Sequence, residues 1–245
     1  MIDAQHFRSE LARVFSKNSL SSMLSLEKTN KLLSLTERML EENEKYNLTA
    51  ITDIDKIILN HYADCAALAA VIPKGKTVAD IGCGAGFPTL PVAILREDIT
   101  ITAIDSTAKR VNYVKETAEL LGLTNVKCVC MRAEDGGGNP EFRERFDIAT
   151  ARAVAEMRVL AELTLPYVKI GGKLMAMKGK NAEFELQNAK KAIALLGGRN
   201  VECKSITLSD GNGEELSHPL IIVEKKEKTP TQYPRPFAQI SKKPL

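Results

Sequence analysis

Residues 78–88 read Val-Ala-Asp-Ile-Gly-Cys-Gly-Ala-Gly-Phe-Pro, a short apolar run with one acid that meets three glycines at alternate positions. The run from Val78 to Ile81 predicts a buried strand, and the glycines predict a turn whose backbone can approach a ligand closely. Because proline suits the first turn of a helix, a helix is expected to begin at Pro88 or just after it. A strand, a glycine turn and a helix in this order are typical of a nucleotide-binding site.

The spacing of the glycines distinguishes two kinds of site. Dinucleotide-binding folds favour G-x-G-x-x-G, whereas Gly82, Gly84 and Gly86 read G-x-G-x-G, with Asp80 two residues before the first of them. This D-x-G-x-G-x-G pattern resembles motif I of the S-adenosylmethionine-dependent methyltransferases. A glycine turn without a ligand and a nicotinamide-dependent oxidoreductase with the same turn both stay open as alternatives.

The composition of the 245 residues, 44% hydrophobic and 27% charged, is that of a globular protein. The longest apolar run, residues 65–72, is too short to span a bilayer, and the first residues lack the pattern of a signal peptide. We therefore expect a cytoplasmic protein without a membrane partner. Five scattered cysteines without a C-x-x-C pair predict neither disulfides nor a bound metal, and Cys128 and Cys130 are expected to be core residues on one side of a strand.

Positive charge is concentrated at the C-terminal end. Residues 224–245 carry six Lys or Arg against two Glu, whereas the whole chain has a net charge of only +3. Four prolines in this stretch, Pro230, Pro234, Pro236 and Pro244, oppose a regular helix. The sequence thus predicts an irregular basic tail over residues 227–245, and both solvated charge and an RNA-binding arm are open readings of it.

From residue 76 onward, strand-like and helix-like stretches alternate, which predicts a parallel sheet with helices on both faces. Seven strands are predicted at 76–81, 99–104, 126–131, 146–151, 172–178, 201–207 and 219–224. The last two have no helix between them and predict an antiparallel hairpin at one edge. Residues 1–74 are predicted to be a helical extension, in which Thr52 and Asp55 form a capping box, and residues 75–226 the ligand-binding domain.

In an open α/β sheet the ligand lies beyond the carboxyl ends of the strands. Asp105 follows the second strand, where an acid can accept hydrogen bonds from a ribose; capping of the next helix is the alternative. Ala133 and Glu134 follow the third strand, where a backbone amide and a carboxylate suit an adenine edge. Arg152 follows the fourth strand and Lys178 the fifth.

Several further segments occur in a specific order. They include Tyr46-Asn47-Leu48-Thr49, His61-x-x-Asp64, Arg132-Ala133-Glu134, Ala151-Arg152-Ala153, Lys178-Gly179 and Tyr233-Pro234-Arg235. From about residue 30 to its end, the chain closely resembles the bacterial small-subunit (16S) ribosomal RNA guanine-N7 methyltransferases, the glucose-inhibited division protein B family. Thr89 and Phe237-Ala238 depart from the family pattern, since glycine is common at both places.

The resemblance implies a class I methyltransferase fold and S-adenosylmethionine as the cofactor. It also implies methyl transfer to N7 of a guanine, guanine 527 in the 530 loop of 16S ribosomal RNA. The partner is then that RNA or the small ribosomal subunit. The family's cofactor contacts fall on Gly82, Phe87, Ala133, Glu134 and Arg152, beside the motif residues Asp80, Gly84, Gly86 and Asp105.

Guanine N7 carries a lone pair and no proton, so a general base is not required and positioning is the main task of the protein. The substrate-side candidates are Arg152, Lys178, Asn47 and His61, with Lys178 expected to contact a phosphate. A loop role for Asn47 and a packed-helix role for His61 are the alternatives. We expect a monomer. An RNA-binding protein that keeps this fold without catalysis is the rival hypothesis.

Overall fold

Helices form the N-terminal part of the chain and pack on one face of a sheet. The computed structural model describes residues 2–213 and 215–245. The helices here are α1 (Ala4–Lys17), α2 (Leu26–Tyr46), α3 (Ile54–Ile57), a π-helical segment (Ile58–Ala63) and α4 (Asp64–Val71). The last three follow one another without a break. A π-helical segment inside a helix is uncommon and often marks a functional site.

Seven strands form one mixed sheet in the order β3-β2-β1-β4-β5-β7-β6. Their bounds are β1 (Thr77–Ile81), β2 (Thr100–Asp105), β3 (Val126–Cys130), β4 (Phe146–Arg152), β5 (Val168–Met177), β6 (Gly198–Ser209) and β7 (Glu215–Lys225). The first five are parallel, and β7 runs antiparallel to both β5 and β6. The predicted parallel sheet with a terminal antiparallel hairpin at one edge is confirmed.

The remaining helices are α5 (Thr89–Leu95), α6 (Ala108–Leu120), α7 (Ala133–Gly138), α8 (Met157–Thr164), α9 (Ala182–Leu195) and α10 (Phe237–Lys242). Two apolar cores result, one on each face of the sheet. In the first core, the helices from α1 through α6 pack on one face of the sheet. In the second, α8 and α9 pack on the opposite face. Residues 1–74 therefore share a core with the sheet. Within the described residues no helix is both long and apolar enough to cross a membrane.

Three local predictions are wrong, each for a physical reason. Asp53 rather than Thr52 caps α3, since its carboxylate accepts a hydrogen bond from the Lys56 amide at 3.0 Å. Strand β5 begins at Val168 instead of residue 172, because the chain continues through a register shift relative to β4 rather than ending at the glycine pair. Cys128 is half-buried and Cys130 exposed, because β3 is an edge strand.

The C-terminal tail also differs from the prediction of an irregular segment. Residues 237–242 form α10 directly after Pro236, a position at which proline does not interrupt the helical hydrogen bonds. Within it the Arg235 guanidinium pairs with Glu162 at 2.6 Å, so the tail packs on the protein. Its exposed lysines are Lys228, Lys242 and Lys243. Just before the tail, Lys225 at the end of β7 is fully buried and Lys226 pairs with Glu224.

Candidate functional site

A cavity of about 420 Å³ opens at the carboxyl edge of the parallel strands. Its walls come from the loops after β1, β2, β3 and β4, from residues 48–49, from the π-helical segment and from α10. The chain winds from β1 to β3 on one side and from β4 to β5 on the other, so the cavity lies at the switch point of the sheet. Its volume is typical of a small-molecule site.

The glycine turn forms one wall of this cavity, and its glycines have different roles. Gly82 and Gly84 line the cavity. A Cβ at Gly82 would lie 2.7 Å from Val154 Cγ2, so a side chain there would collide with the loop after β4. Gly86 does not line the cavity, but it has φ +84° and a Cβ there would come within 2.5 Å of Leu90 Cδ1. Gly86 is thus required for packing of α5 rather than for ligand contact.

The first three backbone amides of the turn have acceptors inside the protein. The Gly82 and Cys83 amides donate to the Ile104 carbonyl at 2.8 and 3.1 Å, and the Gly84 amide donates to Asp105 Oδ2 at 3.0 Å. A phosphate site offers its backbone amides to the ligand. Because these three amides are already used, this corner of the cavity suits a neutral hydroxyl-bearing ligand better than a phosphate.

Asp105 caps the next helix, as one of the two sequence readings expected, and also lies in the cavity wall. Its Oδ1 accepts a hydrogen bond from the Thr107 amide at 2.9 Å, which caps the start of α6, while Oδ2 accepts the Gly84 amide. Asp105 nonetheless lines the cavity. An ionised carboxylate has about four acceptor positions, so two remain for the hydroxyls of a ribose.

Ala133 and Glu134 lie in the first turn of α7, and both line the cavity. The Tyr167 hydroxyl donates to the Ala133 carbonyl at 2.7 Å, which fixes the start of the helix. The Glu134 side chain is half-buried. The structure thus brings these two residues to the same cavity as Asp105 and the glycine turn.

Asp80 lies beneath the turn and not in the cavity wall. It is fully buried, and the Thr89 hydroxyl donates to its Oδ2 at 2.6 Å. Its other oxygen has no hydrogen-bond partner among the residues that the structure describes. Burial raises the pKa of this carboxyl to about 6, partly offset by the hydrogen bond from Thr89. Thr89, where the resembled family often has glycine, thus supports the acid of the motif.

Phe87, directly after the glycine turn, contacts both His61 and Arg152, and all three line the cavity. The Phe87 ring centroid lies 4.6 Å from that of His61 and 5.1 Å from the Arg152 guanidinium carbon. Arg152 Nη1 also lies 3.3 Å from His61 Nδ1 and donates to the Asn60 carbonyl at 3.3 Å. The π-helical segment therefore holds the cation over the Phe87 ring.

Asp64 anchors this cluster from beneath. Its side chain is 2% exposed, and its Oδ2 lies 3.5 Å from Arg152 Nη1. His218 of β7 approaches from the opposite side, with Nδ1 3.1 Å from Asp64 Oδ1. Because a buried carboxylate needs a partner, Asp64 fixes the position of the Arg152 head group.

Two substrate-side candidates lie outside the main cavity. Lys178 forms an ion pair with Glu185 at 2.6 Å and donates to the Ala155 carbonyl at 2.7 Å, with its side chain 9% exposed. It braces the loop after β4, and this arrangement does not offer its ammonium to a phosphate. Asn47 ends α2 in the left-handed conformation and lines an adjacent cavity of about 140 Å³, together with Lys109 and Arg110.

His61 provides a test of the packing at this site through pH. Burial, and then the neighbouring Arg152, lower the pKa of His61 to about 4, with Asp64 opposing and His218 adding to the shift. An unfolded histidine titrates near pH 6.5, so the unfolded state binds more protons between these values and the wild type loses stability as the pH falls. Between pH 7 and pH 4.5, the free energy of unfolding of His61→Gln should therefore rise by about 2 kcal/mol relative to that of the wild type.

Urea unfolding of both proteins at several pH values measures this difference. The comparison between the two proteins is necessary because Asp80, with its raised pKa, acts in the opposite direction in the same window. A difference that does not change with pH would show that His61 is solvated in the folded state.

Several residues of the cavity wall were not predicted as site residues, among them the following. Leu48 and Thr49 precede the π-helical segment, Val154 lies against Gly82, and Phe237 comes from α10. The positioning role of Asp64 had a sequence signal, since His61 and Asp64 are three apart and share one helix face. Phe237 had none, because its contact depends on how the distant tail packs.

Comparison with known proteins agrees with this geometry. Residues 28–212 match the sequence model of the family described as rRNA small subunit methyltransferase G. A Clostridium perfringens protein named ribosomal RNA small subunit methyltransferase G is 48% identical over 221 residues, covering 89% of this chain and 91% of the relative. A Leuconostoc mesenteroides protein of the same name is 47% identical over 213 residues, covering 85% and 87%.

Solved structures of low sequence identity share the fold. An S-adenosylmethionine-dependent O-methyltransferase from Thermotoga maritima superposes with a TM-score of 0.53 at 12% identity, covering 78% of this chain and 72% of that one. M. jannaschii TYW2, solved in complex with AdoMet, gives 0.50 at 16% identity, covering 66% and 73%. The fold is thus that of class I methyltransferases, and the match over well more than half of its length shows that this chain belongs to the rRNA small subunit methyltransferase G family.

Proposed function

We propose that this protein transfers the methyl group of S-adenosylmethionine to N7 of a guanine in the 530 loop of 16S ribosomal RNA. The observation that carries the proposal is that the glycine turn, Asp105, Ala133-Glu134, Phe87 and Arg152 all line one cavity. This cavity thus combines groups that recognise a nucleoside with an aromatic ring and a cation. The family to which the chain belongs agrees with this chemistry.

The residues of the cavity fit S-adenosylmethionine. Asp105 has acceptor positions left for the ribose hydroxyls, and Ala133 and Glu134 stand where the adenine would lie. Asp105 and Glu134 are carboxylates of the cavity wall and can face a ligand with a positive sulfur, while Arg110, Arg132 and Arg152 line the same cavity. When bound, the cofactor supplies an electrophilic methyl group.

Methylation at guanine N7 matches what the site contains. The in-plane lone pair of N7 can attack without prior loss of a proton, so the protein needs to align the base rather than deprotonate it. His61 is buried against Phe87 and Arg152, and its ring is thus held for packing. The charge of Arg152 is balanced by Asp64, which limits its repulsion of the positive charge that develops on the methylated base.

Arg152 is then best placed to contact a phosphate or the cofactor. In an intact A-form helix N7 faces a deep and narrow groove, so the target guanine must lie in a loop or be turned out of its stack. A site at the mouth of an open cavity is compatible with a base that enters from outside.

The glycine turn gives little support to the alternative that the protein is a nicotinamide-dependent oxidoreductase. Its Gly82, Cys83 and Gly84 amides already donate to acceptors inside the protein and are not offered to a pyrophosphate, whereas Asp105 suits the ribose of either cofactor.

A methyl-transfer assay distinguishes the proposed enzyme from an RNA-binding protein that keeps the fold without catalysis. Protein is incubated with radiolabelled S-adenosylmethionine and either small ribosomal subunits or free 16S RNA. Label in the RNA of either substrate supports the proposal, and cofactor binding without label in both would favour a silent binding protein.

The exposed Lys242 and Lys243 at the end of α10 provide a test of RNA contact. Changing both to Gln should weaken binding of the RNA substrate and reduce the magnitude of the slope of log K against log salt by about 1.4, because each phosphate contact with a single strand contributes about 0.7. Cofactor affinity should not change. The same double change at Lys190 and Lys191 of α9, which contributes nothing to the cavity wall, is the matched control. Equal slopes in the wild type and the α10 variant would show that α10 does not contact RNA.

A further inference from the structure

The C-terminal strap, residues 229–245, is fastened to the face of the sheet that carries α7 and α8. Arg143 Nη1 donates to the carbonyls of Gly137 and Tyr233, and Nη2 donates to the Thr229 carbonyl at 2.7 Å. A single arginine thus ties the first half of the strap to the end of α7.

A second contact, two residues after Tyr233, holds the strap to α8 through Arg235. Glu162 of α8 is completely buried, and its carboxylate accepts three hydrogen bonds from Arg235, from the amide at 2.9 Å, from Nε at 2.8 Å and from Nη2 at 2.6 Å. Charge-assisted pairs of this forked geometry are strong and directional. The start of α10 is therefore fixed relative to α8.

The two fastenings place one aromatic side chain at the cavity. Phe237, the first residue of α10, lines the cavity although its surface is 41% exposed. Ile240, one turn later, is fully buried and holds the helix down. A large apolar side chain left exposed on the wall of a ligand cavity has one face available for contact.

The side of the cavity on which Phe237 lies follows from its neighbours. Pro234 packs on α7, since a Cβ at Gly137 would lie 3.1 Å from Pro234 Cγ, and α10 packs on α8. Tyr233 and Leu245 of the strap and Ala133 of α7 belong to or pack against the same apolar core. Phe87 belongs to the core on the opposite face.

We propose that Phe237 is a cofactor-contact residue that packs against the adenine ring of S-adenosylmethionine and that the strap exists in part to deliver it. The inference rests on the proposed function, since it assigns a residue to the same cavity. Adenine is the one aromatic ring of the cofactor, and stacking of a base on an aromatic side chain is sequence-tolerant and favourable.

Calorimetric titration with S-adenosylhomocysteine tests the contact. Phe237→Ala should weaken binding about tenfold, Phe237→Tyr should keep wild-type affinity, and Phe237→Leu should lie between them. Phe184→Ala on α9, where the ring is 71% exposed and outside the cavity, is the control and should bind as the wild type does. Equal affinity of Phe237→Ala and the wild type would overturn the inference while leaving the proposed function intact. A wild type that binds no S-adenosylhomocysteine would instead remove the proposed function, and this inference with it.

A fluorescence measurement identifies which part of the ligand Phe237 meets. The chain contains no tryptophan, so Phe237→Trp provides a single reporter. Adenosine and S-adenosylhomocysteine should change its emission, and methionine should not. If S-adenosylhomocysteine binds without changing the emission and only the RNA substrate changes it, the adenine contact is overturned and the side chain at position 237 contacts the RNA instead.

Discussion

Gly84→Asp is expected to abolish binding of S-adenosylmethionine without unfolding the protein. Gly84 lines the cavity, and a Cβ there would meet only the Gly82 carbonyl at 3.9 Å, so a side chain fits when no ligand is present. The new carboxylate would stand beside Asp105, which accepts the Gly84 amide, and would occupy space that a ligand needs. Calorimetry should therefore show no measurable heat of binding.

Gly122→Asp is the matched control for this substitution. Gly122 has φ +64°, close to the +54° of Gly84, and nothing lies within 4 Å of a Cβ there. Both substitutions impose a similar backbone strain of about 1 kcal/mol, since aspartate tolerates the left-handed region better than most residues. Gly122→Asp should bind the cofactor normally. Binding by Gly84→Asp at wild-type affinity would show that the glycine turn is not the cofactor site.

Arg152→Ala should lower methyl transfer to the small subunit about 100-fold or more. The guanidinium lies in the cavity wall, stacked on Phe87 and paired with Asp64, so it is preorganised for its ligand. Removing one preorganised donor from an active site typically costs this much in rate. Initial rates with radiolabelled S-adenosylmethionine measure the loss.

Among the described residues, removal of Arg152 leaves the buried Asp64 with His218 as its ion-pair partner, so a second variant separates folding from function. Arg152→Lys keeps the charge near Asp64 but loses the planar group that stacks on Phe87, and it should fold and still transfer methyl groups slowly. Arg199→Ala, which breaks an exposed pair with Glu227, should leave the rate unchanged. Wild-type rates in both Arg152 variants would exclude Arg152 from the site.

The parts of the fold and site that could be predicted from the sequence are those with local signals. The alternation of strands and helices and the glycine turn predicted the parallel sheet. The rule that ligands lie beyond the strand ends identified Asp105, Ala133, Glu134 and Arg152, all of which line one cavity. Their assembly follows because the parallel strands β1 to β4 end at the same edge.

The features that sequence reasoning missed depend on long-range partners. Lys178 follows a strand as predicted, but Glu185 of α9 and the Ala155 carbonyl hold its ammonium outside the cavity. The tail seemed irregular from its prolines, yet Arg235 is bound to a glutamate 73 residues away in the sequence. No local pattern in the sequence indicates such a partner, so neither the docked tail nor Phe237 in the cavity wall could be predicted.

The position of the transferred methyl group tests the central claim most directly. Small subunits lacking the modification are labelled with protein and radioactive S-adenosylmethionine. One portion of the 16S RNA is digested to nucleosides and separated by chromatography, and a second portion is cut into defined fragments to locate the label. All label should migrate as 7-methylguanosine and should map to a single guanine of the 530 loop. Label in any other nucleoside, or cofactor binding without transfer to RNA, would contradict the proposed function.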